Sequence, residues 1–98
     1  MNKVDAIAAL RDQSGAMKAL GATALYLFGS TVRNSAVASS DLDLFIDYDR
    51  NSRFSLVELV SLKQLLEGRL GVQVDITTRD SLDPLLRGRI EASAERIF

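Results

Sequence analysis

The sequence has 98 residues, with 12 Lys and Arg against 13 Asp and Glu for a formal charge of −1, which fits one small domain over 1–98 and gives no electrostatic case for a general nucleic-acid binder. Without Cys there are no disulfides, zinc ribbons or thiol chemistry, and without His there are no imidazole bases or Ser/His triads, so chemistry falls to carboxylates, hydroxyls, Lys, Arg and backbone. An apolar share of 47% with 26% charged residues predicts a packed core, and no stretch has the apolar length of a signal peptide or membrane span, so the expectation is a soluble, cytoplasmic protein with no membrane contact.

In chain order, Val4, Ile7, Ala8, Met17 and Leu20 recur at helical spacing over residues 2–20, with Ser14 and Gly15 as a possible break and Gly21 as the stop. Ala22 to Phe28 is a continuous apolar run of strand length that ends on Gly29 and Ser30, as expected of a strand buried on both faces. Residues 31–40 are small and polar and read as a short helical turn from Ser30 followed by a loop.

From Asp41 to Asp49 the pattern alternates: Leu42, Leu44, Ile46 and Tyr48 share one side, and Asp41, Asp43, Phe45, Asp47 and Asp49 the other. Ser55 and Glu58 form a capping box opening a helix that runs through Leu59, Leu66 and Leu70 to Gly71. Val72, Val74 and Ile76 alternate with Gln73, Asp75 and Thr77 as a third strand. Asp83 as N-cap and Pro84 at the first helical position predict a last helix carrying Leu85, Leu86, Ile90 and Ile97 to the end of the chain. The order predicts an α/β (α+β) domain: a small mixed sheet with helices packed mainly on one face.

Aspartates two apart on a strand point the same way, so Asp41 and Asp43 converge on one point and repel each other. A divalent cation accounts for that arrangement, because Mg²⁺ takes one or two carboxylates together with substrate phosphates, and Asp75 on a neighbouring strand is the third candidate ligand. The competing reading is a solvated strand face. Gly29 and Ser30 after a buried strand offer backbone N–H groups and a hydroxyl to phosphate, although a Gly-Ser turn can also be only a turn. Arg33 is either a phosphate contact or a solvated turn residue; Asp47, another ~13 Å along the strand, reads as surface. Lys18, Lys63, Arg87, Arg89 and Arg96 read as solvated, and Tyr26 and Phe28 as core.

Taken together, LFGS, a spacer with Arg33, SDLDLFID and then VDI resemble the polymerase beta nucleotidyltransferase superfamily, and within it the minimal nucleotidyltransferases. The matching positions are Gly29, Ser30, Arg33, Ser40, Asp41, Asp43 and Asp75; the usual Gly after the Arg is Asn34 here, a residue that tolerates left-handed backbone. The resemblance implies that fold and transfer of AMP from ATP to a hydroxyl. It implies two Mg²⁺ ions held by Asp41, Asp43 and Asp75, with Gly29 and Ser30 on the β- and γ-phosphates. It further implies a hetero-oligomer with a helical HEPN-type ribonuclease toxin whose tyrosine is modified, making this chain the antitoxin. The alternative is a non-catalytic antitoxin that neutralises its partner by binding, and small-molecule nucleotidylation ranks lower because the chain has no acceptor-binding lobe.

Overall fold

A computed structural model describes residues 2–29, 31–32 and 41–98. The first helical stretch is split: α1 spans Lys3–Asp12, capped by Asn2, whose Oδ1 accepts from the Asp5 N–H at 2.8 Å, and α2 spans Ser14–Ala19 after a break at Gln13. β1 is Ala22–Phe28 and β2 is Leu42–Tyr48. α3, Leu56–Leu70, opens on the full capping box of Ser55 and Glu58 and closes at Gly71 in the left-handed region, φ 70°. β3 is Val74–Thr78, followed by a 3₁₀ turn over Arg79–Ser81, then α4, Arg87–Ser93, and a two-residue β4, Glu95–Arg96.

The strands form one mixed sheet in the order β3-β2-β1-β4, antiparallel except for the β2–β3 pair, which is parallel. One face is covered by α1, α2 and α3. Ala6, Leu10, Met17, Leu62 and Leu66 pack there against Leu25, Leu27, Leu42, Leu44, Ile46, Val74 and Ile76, all at most 8% exposed. The predicted alternation of β2 therefore holds for Leu42, Leu44 and Ile46. No described helix is long and apolar enough to cross a membrane.

The opposite face is not bare. Phe45, on the side that carries the aspartates, is completely buried because the Tyr26 ring stacks on it at 4.7 Å and the Phe28 ring tilts onto it at 5.7 Å. The continuous apolar run of β1 thus serves both faces, Leu25 and Leu27 toward the helices and Tyr26 and Phe28 toward Phe45.

The end of the chain corrects the expectation of a terminal helix from Asp83. Asp83 does start a turn, with its carbonyl accepting from Leu86 and Arg87 and its side chain from Leu85, but α4 stops at Ser93 and the chain turns extended at Ala94. Ile97 then enters the core, its N–H donating to Leu25 O at 2.8 Å while the Leu25 N–H donates to Phe98 O at 3.1 Å. Pairing the backbone groups along the edge of β1 outweighs continuation of a short helix, since unpaired buried backbone groups are costly.

Candidate functional site

β1 and β2 are antiparallel, so the end of β1 lies beside the start of β2, where the resemblance places the site. Phe28 is in register with Asp43, and across the parallel pair Asp43 is in register with Asp75. Phe28, Asp43 and Asp75 therefore form one row across three strands on the face away from the main helices. Asp41 lies two residues before Asp43, exposed, immediately ahead of β2. Ser30, Arg33 and Ser40 fall outside the described residues.

Gly29 ends β1 with φ 79°, a left-handed conformation. A side-chain carbon there would overlap the Asp43 carboxylate oxygen and come within 3.1 Å of its Cγ and 3.2 Å of its Cβ. Both conformation and space thus require glycine, and the backbone of the turn and the Asp43 carboxylate share one crowded cradle. Just beyond, Thr31 is 1% exposed with its hydroxyl unpartnered among the described residues.

The start of β3 is held from α3. Lys63 Nζ donates to Val74 O at 2.7 Å, and Glu67 Oε2 accepts from the Val74 N–H at 3.0 Å, one residue before Asp75. The Val74 N–H, first among its causes, holds the Glu67 carboxyl below its ordinary range. Lys63, exposed as expected, also belongs to the strap that holds the start of β3 ahead of Asp75. On β2, the Leu42 N–H donates to Gln73 O at 3.0 Å, which fixes the parallel register beside the two aspartates.

Hard oxygen donors on neighbouring strands suit Mg²⁺, and Asp43 and Asp75 in register present two of them to one side. Among the described residues no group of three carboxylates is already drawn to metal-ligating spacing, so the three aspartates would have to draw closer as an ion binds.

Sequence reasoning did not single out Arg79 and gave Asp47 no partner. Arg79 follows β3 directly, and its guanidinium forks onto Asp47, Nε to Oδ1 at 2.8 Å and a terminal nitrogen to Oδ2 at 3.0 Å, while the other terminal nitrogen meets Glu91 of α4 at 2.5 Å. The guanidinium centre stands 4.8 Å over the Tyr26 ring and 5.1 Å over Phe45. Asp47, first among its causes, raises the Arg79 pKa above its ordinary value.

The family model described as polymerase beta, nucleotidyltransferase matches residues 16–98. A Methanocaldococcus jannaschii protein provisionally named a protein adenylyltransferase is 42% identical over 64 residues, a segment covering 65% of this chain and 67% of that one. A solved structure, provisionally named a minimal nucleotidyltransferase, superposes with a TM-score of 0.81 at 33% identity, covering 97% of this chain and 95% of the other. The fold also recurs, at a TM-score of 0.60 and 21% identity, over 99% of this chain and 69% of a chain in the complex of a tri-AMPylated Shewanella oneidensis HEPN toxin with MNT antitoxin. With Gly29 at the end of β1, Asp43 and Asp75 paired across β2 and β3, and the family pattern running through five-sixths of its length, the chain belongs to the polymerase beta nucleotidyltransferase family.

Proposed function

We propose that residues 1–98 act as a single minimal domain, a cytoplasmic, magnesium-dependent protein adenylyltransferase that moves AMP from ATP to a tyrosine of a HEPN-type toxin and so serves as its antitoxin. The observation that carries the reading is Gly29 packed against Asp43, with Asp43 in register with Asp75, on the face the main helices leave uncovered. The relative named as a protein adenylyltransferase and the fold shared with the toxin–antitoxin complex support the acceptor being a protein.

In this reading the Gly29 turn and the Ser30 hydroxyl hold the β- and γ-phosphates, with Arg33 as a further cationic contact. Asp41 and Asp43 would hold both ions and Asp75 the ion nearest the acceptor. Bound there, Mg²⁺ supplies charge neutralisation on the phosphates and on the attacking oxygen. The tyrosine oxygen forms a bond to the α-phosphorus, the bond from that phosphorus to the bridging oxygen breaks, and pyrophosphate leaves with the electron pair. The chain has no His, and in this reading Asp75 accepts the phenolic proton. A site lying on an open sheet face encloses little of a nucleotide by itself, which favours a hetero-oligomer whose partner completes the enclosure.

The test expresses the toxin with wild type or with the Asp41→Asn, Asp43→Asn double variant and weighs the toxin by mass spectrometry. The expected result is an AMP adduct on a toxin tyrosine with wild type alone and no protection by the variant. If the variant leaves the toxin unmodified yet protects cells as well as wild type, neutralisation is by binding and the enzyme reading fails.

A further inference from the structure

β2 and β3 carry their charges in an ordered way. The register pairs Asp43 with Asp75 and Phe45 with Thr77, alternation puts Asp47 next on that face of β2, and Arg79, just past the end of β3, reaches it. At one end two aspartates are in register on neighbouring strands, with the Asp43 carboxylate lying against Gly29 beyond β1. Four residues on, about 13 Å along β2, Asp47 meets Arg79, the first residue after β3, in a two-pronged fork.

An exposed ion pair generally contributes little. This one is built differently. The Arg79 side chain is 26% exposed, both prongs are short, its third nitrogen is taken by Glu91, and its plane lies over two rings, one of them completely buried. The guanidinium is therefore fixed on several sides, so little side-chain freedom remains to be lost in making the fork.

We propose that Arg79 is a positioning residue for the carboxylate site: its fork onto Asp47 locks β2 to the end of β3, so that Asp43 and Asp75 stay in register at the other end. The inference rests on the metal-binding part of the functional reading and on nothing about acceptor or partner. It assigns Asp47 to the clamp and separates it from the ligands. Glu91 ties α4 to the same point, so the clamp also anchors the segment that leads into β4.

The test uses the purified full chain without nucleotide and Mn²⁺ as the probe, with binding read by electron paramagnetic resonance at a temperature where melting curves show every variant folded. Arg79→Gln and Asp47→Asn are each expected to weaken Mn²⁺ binding roughly tenfold, the lower end of what groups behind metal ligands contribute. The double variant is expected to bind no more weakly than Arg79→Gln alone, and Arg79→Lys to recover less than half of the loss, because an ammonium cannot fork. A purely structural Arg79 would lower the melting temperature and leave Mn²⁺ affinity at the wild-type value, which overturns the proposal. If Arg79→Gln does not fold, Asp47→Asn decides alone, since Glu91 and the rings still hold Arg79. Failure of the wild type itself to bind Mn²⁺ would remove the metal reading and the clamp with it, whereas full binding by the variants removes the clamp only.

Discussion

Replacing Gly29 by Ala tests the cradle, and Gly71→Ala provides its internal control. Both glycines sit in the left-handed region, at φ 79° and φ 70°, so both substitutions bring the same backbone penalty of about 1–2 kcal/mol. They differ in their surroundings. Nothing lies within 4 Å of a side-chain carbon at Gly71, whereas at Gly29 it overlaps the Asp43 carboxylate and comes within 3.2 Å of the Asp43 Cβ. Because the nearest atoms include the base of that side chain, turning Asp43 to another rotamer clears only part of the overlap, and β1 must also part slightly from β2. Overpacking of this kind costs about 1–3 kcal/mol, and each kcal/mol lowers the melting temperature of a domain this size by roughly 4–8 °C. Thermal unfolding followed by circular dichroism should thus place Gly29→Ala at least about 4 °C below Gly71→Ala, with nucleotidyl transfer lost in the first and kept in the second. Adding Asp43→Ala to Gly29→Ala should recover most of the excess, since it removes the overlapping atoms. Equal melting temperatures for the two glycine variants, or a double variant whose loss equals the sum of its parts, would refute the argument.

Two further outcomes follow from the same geometry. Asp75→Asn removes one of two like charges in register, so it should abolish transfer while leaving the metal-free melting temperature unchanged or slightly higher; a clear fall in melting temperature would show that Asp75 is a structural residue. Acid should weaken the fold through Asp80, whose pKa lies below its ordinary value because it accepts from the Thr78 hydroxyl, first among the causes, and then from the Tyr48 hydroxyl. A carboxylate with a lowered folded pKa contributes its full stability above the unfolded value of 3.8 and loses it as the pH falls through the lower folded value. The capping-box carboxylate Glu58, lowered chiefly by Ser55, acts in the same direction. The melting temperature should drop as the pH falls below the unfolded value of 3.8, less steeply in Asp80→Asn, and identical slopes in the two proteins would exclude Asp80 as a contributor.

The parts legible in the sequence were those that local chemistry decides. The apolar run of β1, the alternation of β2 and the capping box of α3 each depend on residues within one element, and the structure reproduces them. The Asp83-Pro84 signal was equally local and did start a turn, yet the pull of an unpaired β1 edge some 60 residues away decided what followed, drawing Ile97 into the sheet instead of a helix. Lys63 and Glu67 show the same limit: their spacing of four was visible, but their capture of the Val74 backbone was not, because it depends on where β3 docks.

Asp47 and Arg79 are the instructive case. Taken singly, an Asp on the polar side of a strand and an Arg in a turn are the commonest of surface residues, and 32 positions of chain separate them. The family pattern, however, already placed Asp43 and Asp75 together. In a parallel pair, one known partnership sets all the others, because both strands advance at the same rise and alternate with the same period. Moving four residues on from Asp43 and Asp75 lands on Asp47 and on Arg79, the residue just past β3, one acidic and one basic and joined by the fork. The pairing was therefore implicit in the spacing, and what hid it was the assumption that charges along the polar side of β2 act independently. The ladder ties their roles together: the fork at Asp47 and Arg79 holds the same two segments that carry Asp43 and Asp75.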